Sequence, residues 1–120
     1  MALEEELRDA LAAYLAAYRR GDAAGCAAAY APDALLLSPY APEAHGSDAI
    51  LALHADWLAE GGADKELAIV AFGGSGGSAW CLVRVSEGGT TGRGASLNVM
   101  ELQPDGRWLI RISSMTEADG

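Results

Sequence analysis

The sequence carries few positive charges for its size. Among 120 residues, 8 Lys and Arg stand against 17 Asp and Glu, which gives a formal net charge of −9 and a pI near 4.4. A protein with this charge repels nucleic-acid phosphates and anionic lipid head groups. We therefore expect neither nucleic acid nor a membrane surface as a partner.

Long apolar runs and clustered metal ligands are also missing. No stretch reaches the roughly 20 apolar residues that span a bilayer, and the start, "MALEEELRDA", lacks the basic and apolar regions of a signal peptide. We expect a cytoplasmic protein. Cys26 and Cys81 have no CxxC spacing and are interpreted as small core residues, and His45 and His54 do not have the spacing of metal ligands. No metal or organic cofactor is expected.

The first third of the chain is typical of two helices. A stripe at three- and four-residue steps predicts a first helix that Gly21 ends, and Asp22 is placed to cap a short second helix, "AAGCAAAY", that ends at Pro32. The apolar side chains of the stripe are Leu3, Leu7, Leu11, Tyr14 and Tyr18.

A short strand, "ALLLS", comes next and leads into a polar loop. Ser47 and Asp48 are suited to an N-cap and a first-turn acid, so a third helix is predicted to run to about Glu60. Its apolar residues are Ile50, Leu51, Leu53, Trp57 and Leu58, and Gly61 and Gly62 follow it.

The rest of the chain predicts four strands, "ELAIVAF", "SAWCLVRVSE", "GRGASLNVMEL" and "RWLIRISSM". The turn segments "GGSGG", "GGTT" and "QPDG" separate them. The chain has no repeat and no linker, and 120 residues suit one domain. We predict one α+β domain, residues 1–120, with three N-terminal helices packed on one face of a curved, mainly antiparallel sheet.

Several segments resemble the nuclear transport factor 2-like superfamily of cone-shaped α+β rolls, in particular its ketosteroid isomerase-like and SnoaL-like domains. They are "AYLAAYRRGDAAGCAAAYAPDALLLSP", "HGSDAILALHADWL" and "DGRWLIRISS". The resemblance covers almost the whole chain and is more specific for fold than for function. It implies a pocket between the helices and the concave face of the sheet.

The resemblance also implies positions for catalytic groups. The steroid isomerases hold an enolate with a Tyr and a protonated Asp beside an Asp base. The Tyr corresponds to Tyr14, but the base corresponds to Ser38, the protonated Asp to Asn98, and a second Tyr that supports the first to His54. Three of the four positions therefore depart from the isomerase pattern.

Each of these positions has a structural alternative. Tyr14 is either a core aromatic or a donor to a ligand oxygen. Asn98 either faces solvent or donates from its amide into the pocket, and His54 is either a partly exposed helix residue or a partner of Tyr14. We name Tyr14, His54 and Asn98 as candidate catalytic residues. Candidate ligand-contacting residues are Tyr18, Tyr30, Ser38, Trp57, Met100 and Ser113.

Ser38 has no neighbouring base in the sequence and cannot abstract a carbon-bound proton alone. Substitute bases would be Glu43 and His45 on the loop, His54, or Asp33 where the first strand begins. The leading hypothesis is a protein that binds an apolar or aromatic small molecule, with possible proton-transfer chemistry on a carbonyl compound: isomerisation, cyclisation or dehydration. The alternative is a non-catalytic ligand-binding or dimerisation module.

The apolar strand "RWLIRIS" and the resemblance favour a homodimer. Members of the superfamily commonly dimerise through the convex face of the sheet. Trp80 and Trp108 alternate with aliphatic residues in two strands, so they are expected in the core or at this interface.

Overall fold

A computed structural model describes residues 2–87 and 91–117. For residues 87 and 91–93 it describes the backbone only. Three helices and six strands follow one another in the order α1 (Leu3–Arg19), α2 (Ala23–Ala27), β1 (Tyr30–Ser38), β2 (Ala41–His45), α3 (Gly46–Leu58), β3 (Lys65–Ser75), β4 (Ser78–Glu87), β5 (Thr91–Leu102) and β6 (Trp108–Glu117). The α+β prediction is confirmed.

The strands form one sheet in the order β2-β1-β6-β5-β4-β3. Every neighbouring pair is antiparallel except β1 and β6, which run parallel. The parallel pair brings the first strand, which follows the helices, beside the last one. Residues from both ends of the chain therefore meet at the centre of the sheet.

The start of α2 and its packing against α1 depend on two glycines and one capping side chain. Gly21 ends α1 with a φ of 73°, a conformation that costs glycine little. Asp22 then caps α2 by accepting a hydrogen bond from the Gly25 backbone N–H at 2.9 Å. A Cβ on Gly25 would lie 2.8 Å from the Cβ of Ala17, so the close approach of α1 and α2 requires glycine there.

The structure corrects three of the predicted boundaries. The second helix ends at Ala27 and not at Pro32, which lies within β1 where the pairing with β6 shifts register and proline is tolerated. The predicted polar loop contains β2. The third helix begins at Gly46, and Ser47 is not its N-cap but donates to the Pro32 carbonyl at 3.4 Å.

The predicted turns differ in detail as well. β3 continues through "GGS", so only Gly76 and Gly77 separate it from β4. The "GGTT" turn begins at residues 88–90, outside the described part of the chain. The segment "QPDG" forms the predicted turn before β6, where Gly106 N–H donates to the Gln103 carbonyl.

The helices cover the concave face of the sheet and bury its inward-facing residues. The stripe of α1 is confirmed as core, since Leu7, Leu11, Tyr14 and Tyr18 are buried and Leu3 packs against them. The core also contains inward residues of four strands: Ala34, Leu36, Cys81, Val83, Met100 and Ile110.

The opposite face of the sheet carries an outer apolar patch of five side chains. Cross-strand partners on this face are Trp80 with Val99, Leu82 with Leu97, and Val99 with Ile112. Trp80 and Leu97 are 42% and 47% exposed, which is unusual for large apolar side chains in the middle of a sheet. The patch consists of Trp80, Leu82, Leu97, Val99 and Ile112.

Candidate functional site

The centre of the site is a contact between α1 and α3. The Tyr14 hydroxyl oxygen lies 2.9 Å from His54 Nε2, and His54 Nδ1 lies 2.8 Å from the Ile50 carbonyl oxygen one turn earlier in α3. Both side chains are buried, with 4% of Tyr14 and none of His54 exposed. The structure thus brings together two of the three candidate catalytic residues.

Burial determines the ionisation of this pair. Loss of solvent lowers the pKa of His54 to about 4 and raises the pKa of Tyr14 well above its ordinary value, because in each case the charged form is poorly solvated. Lys65 also lowers the pKa of His54 by charge repulsion. At neutral pH the imidazole and the phenol are therefore both uncharged.

Tyr30 extends this contact towards the sheet. Its ring meets the Tyr14 ring edge-on at 6.1 Å between centroids. Burial raises the pKa of Tyr30 far above the ordinary value, and hydrogen bonding to Tyr14 and Ser113 opposes part of this rise. A buried hydrogen-bonded series joins α1 to α3 through Tyr14, His54 and the Ile50 carbonyl, and Tyr30 of β1 lies beside it.

Asn98, the third candidate catalytic residue, lies on β5 and is 3% exposed. It is the cross-strand partner of Ser113 on β6 and of Cys81 on β4, so it shares the concave face with them. Its amide Nδ2 donates to Ser96 Oγ at 3.1 Å, and the amide is also hydrogen-bonded to the Cys81 thiol. Of the two alternatives for Asn98, the structure places it on the inner face and not towards solvent, with its amide paired within the protein.

An interior cavity of about 20 Å³ lies among these groups. This volume is close to the roughly 10–15 Å³ that one water molecule requires. None of the described residues that line the cavity is a carboxylate, and its one charged residue is Lys65, whose Nζ lies 4.0 Å from the centre of the Tyr18 ring. The polar residues of the lining are Tyr14, Tyr30, Lys65, Ser96, Asn98 and Ser113.

A larger surface cleft, of about 380 Å³, lies between α1, α2 and the turn before β6. Tyr14 lines both this cleft and the interior cavity, so it stands between them. Most of the remaining lining is small and apolar, and Glu6, Asp9 and Arg107 are the charged residues. The Trp108 indole N–H donates to Glu6 at 3.3 Å and holds that carboxylate at the cleft.

Ser38 lies away from both spaces. It is half-buried at the end of β1, where its Oγ accepts a hydrogen bond from the Tyr40 backbone N–H at 3.1 Å, and it lines neither the cavity nor the cleft. The prediction that Ser38 contacts a ligand is therefore not supported by its position. The β1–β2 hairpin was not predicted from the sequence. It places Ser38 at the turn between the two strands, where the side chain stabilises the turn.

The other predicted ligand-contacting residues divide into two groups. Tyr30 and Ser113 line the interior cavity, whereas Tyr18, Trp57 and Met100 do not. Tyr18 and Trp57 pack around His54 with ring centroids at 6.3 and 5.0 Å, and Met100 is buried in the core. These three therefore support the site from outside its lining.

The substitute bases considered for Ser38 do not reach the interior. Glu43 and His45 are exposed on β2, and Asp33 is exposed and pairs with Arg111. Arg111 keeps the pKa of Asp33 below its ordinary value. Among the candidate bases, His54 alone lies in the core.

Two polar residues of the lining, Ser96 and Lys65, were not among the predicted site residues. Ser96 could have been found, because it is two positions from Asn98 in one strand and must share its face. Lys65 had no such signal, since it begins its strand next to charged neighbours and only the packing of α1 against β3 buries it to 5% exposure. The cysteines behave as expected: both are buried free thiols, and desolvation raises the pKa of each to about 11.

Helices on the concave face of a six-stranded sheet, with polar side chains at its centre, define the class of cone-shaped α+β rolls. The family model described as SnoaL-like domain matches residues 11–109. The chain therefore belongs to the SnoaL-like domain family.

Solved structures agree with the fold. An NTF-2 like protein of unknown function from Shewanella oneidensis MR-1 has a TM-score of 0.82 at 20% identity, covering 97% of this chain and 100% of that one. A ketosteroid isomerase-like protein from Erwinia carotovora atroseptica SCRI1043 has a TM-score of 0.77 at 21% identity, with 97% and 96% covered. A putative calcium/calmodulin-dependent protein kinase type II association domain from Thiobacillus denitrificans has a TM-score of 0.76 at 16% identity, with 92% and 93% covered. At such identities these likenesses show the fold alone.

Among curated proteins, no sequence matches this chain. Within residues 2–87 and 91–117, no helix is long and apolar enough to cross a membrane.

Proposed function

We propose that the protein is a non-catalytic, small-molecule-binding domain of the SnoaL-like family that also forms a homodimer. The ligand is a neutral, mainly apolar molecule, whose body occupies the cleft between α1 and α2 and whose polar end reaches Tyr14. The cleft volume of about 380 Å³ falls within the range of about 300–1,000 Å³ that is usual for ligand pockets.

One observation carries the proposal: Tyr14, an uncharged hydrogen-bonding side chain, lines a cleft whose other walls are mainly small and apolar. Its neighbours in the interior cavity, Tyr30, Asn98 and Ser113, are uncharged as well, and no described residue of that cavity lining is a carboxylate.

The same observation argues against base catalysis. A base for carbon-bound protons needs a pKa near the working pH, and His54, the buried one of the candidate bases, has a pKa of about 4 and both ring nitrogens engaged. The carboxylate that serves this purpose in the steroid isomerases is replaced by Ser38, which lies outside the site. Enzymatic isomerisation therefore remains the weaker alternative.

Homodimer formation rests on the outer apolar patch. An exposed apolar row across three adjacent strands is costly in water, and the self-complementary face of a twofold dimer would cover it. The patch is on the opposite side of the sheet from the cleft, so a dimer formed through it leaves the ligand site open.

Two matched probes test the binding proposal: 1-indanol and 1-indanone, which are neutral and nearly identical in shape. We expect at least one of them to bind with millimolar or better affinity in calorimetric titration and to raise the melting temperature. Tyr14→Phe should weaken binding, whereas Ser38→Ala should not. Failure of both probes to bind wild-type protein, or equal binding by a variant with the cleft blocked by Ala13→Trp, would contradict the proposal.

The catalytic alternative has its own readout. Conversion of a β,γ-unsaturated cyclohexenone to the conjugated isomer is followed by its ultraviolet absorbance. We expect a rate equal to that of buffer, and a rate that depends on His54 would instead establish an enzyme.

A further inference from the structure

The direction of each hydrogen bond in the buried series can be assigned from its fixed end. The Ile50 carbonyl oxygen can only accept, so His54 Nδ1, at 2.8 Å, must carry a proton. The opposite tautomer would place two lone pairs against each other at this distance. A second proton on the ring is disfavoured because the imidazole is fully buried and Lys65 repels it.

A neutral His54 with its proton on Nδ1 presents a lone pair at Nε2. The Tyr14 hydroxyl, 2.9 Å away, must therefore be the donor in that contact. Since a phenol has one proton, Tyr14 has none left to donate to another group.

Asn98 is the second group that was expected to donate a hydrogen bond to a ligand. Its Nδ2 already donates to Ser96 Oγ within the protein, at 3.1 Å. The Tyr14 oxygen retains lone pairs that can accept from another donor. Tyr14, which lines the cleft, thus offers an acceptor and no proton.

We infer that His54 is a specificity-determining positioning residue: it fixes the Tyr14 proton away from the ligand, so that the site selects molecules that donate a hydrogen bond, such as alcohols and phenols, over ketones and aldehydes. This inference rests on the proposed binding function and names its ligand class. It reverses the arrangement of the steroid isomerases, in which the Tyr donates to a carbonyl oxygen.

The first test needs no ligand. The protein contains only two histidines, His45 and His54, so a two-bond ¹H–¹⁵N correlation spectrum at pH 7 resolves both rings. We expect a protonated Nδ1 and a bare Nε2 on His54, with the exposed His45 as internal reference. A proton on Nε2 of His54 would overturn the inference whatever the binding results are.

The second test compares 1-indanol with 1-indanone in the same calorimetric titration. We expect wild-type protein to bind the alcohol about threefold to tenfold more tightly, the effect of one net hydrogen bond. His54→Leu removes the acceptor and frees the Tyr14 proton, so the preference should move towards the ketone. Tyr14→Phe should bring the ratio close to one.

The ratio within each variant is independent of how much that variant is destabilised. A wild-type preference for the ketone would mean that Ser96 or Lys65 supplies a donor, and the inference would be wrong although the binding function stands. If neither compound binds, the binding function fails, and the histidine spectrum alone decides the direction of the hydrogen bonds.

Discussion

The hydroxyl of Tyr14 and Nε2 of His54 lie 2.9 Å apart, although 40 residues separate them in the sequence. The pair joins α1 to α3 within the core and is continued to the sheet by Tyr30. In the steroid isomerase pattern, a second tyrosine would occupy the position of His54. The histidine changes the chemistry of the contact, because a ring nitrogen without a proton can only accept.

Removal of the Tyr14 hydroxyl should destabilise the fold. Tyr14→Phe leaves His54 Nε2 and the Tyr30 hydroxyl without their partner in a buried setting, which costs about 1–3 kcal/mol. Urea denaturation measures the change, with Tyr40→Phe as the control because Tyr40 is 54% exposed. Equal stability of the two variants would show that the buried contact does not contribute.

Acid should weaken the fold through His54. Its pKa is lowered to about 4 in the folded protein, from the ordinary 6.5, so the unfolded chain binds a proton more readily between these values. The contribution of neutral His54 is full above pH 6.5 and is lost as the pH falls from 6.5 to 4, by about 3 kcal/mol in all.

Urea denaturation at pH 7.5, 5.5 and 4.5 tests this window. In many proteins, protonation of buried carboxylates reduces stability in the same pH range. Here the pKa values of Asp22, Asp33 and Asp105 are lowered, so protonation of these carboxylates reduces stability only below about pH 4. His54→Leu should remove most of the slope between pH 6.5 and 4.5. A slope unchanged in that variant would assign the acid sensitivity to other groups.

Truncation of the α1 stripe should be costly. Leu11 is 7% exposed, and Leu11→Ala is expected to cost about 2–5 kcal/mol, the range for a buried leucine. The matched control is Leu51→Ala in α3, because Leu51 is 40% exposed and should change stability by less than about 1 kcal/mol. Similar costs for both would mean that α1 does not pack as described.

A charge in the outer apolar patch should prevent dimer formation. Light scattering of the wild type is expected to give twice the chain mass of 12.4 kDa, and Val99→Lys should give 12.4 kDa because a buried unpaired ammonium is highly unfavourable at an interface. Tyr40→Lys, on the β1–β2 connection, serves as the control. A monomeric wild type at micromolar concentration would rule out this interface.

Ser38 is expected to have no role in ligand binding. Ser38→Ala should leave the affinity for 1-indanol within about tenfold of wild type, or roughly 1.4 kcal/mol, since its Oγ is engaged by the Tyr40 N–H. Tyr14→Phe should weaken binding more, because Tyr14 lines the cleft. The reverse order would place the site near the β1–β2 hairpin.

The spacing of apolar residues by itself predicted the helices, the strands after α3 and the inward position of Tyr14. A helix or strand that buries one face repeats apolar residues with its own period, so the sequence shows that face directly. These features depend on local geometry, and the sequence records local geometry directly.

Tertiary structure decided what these residues do. The short β2 and the place of Pro32 within β1 depend on pairing with strands elsewhere in the chain, and no local pattern encodes such pairing. The same applies to Ser38, which β2 removes from the site, and to Lys65, which the packing of α1 buries. Above all, the proton of Tyr14 points at His54 only because α3 places a backbone carbonyl against the other ring nitrogen, and that is a relation among three residues that the chain brings together on folding.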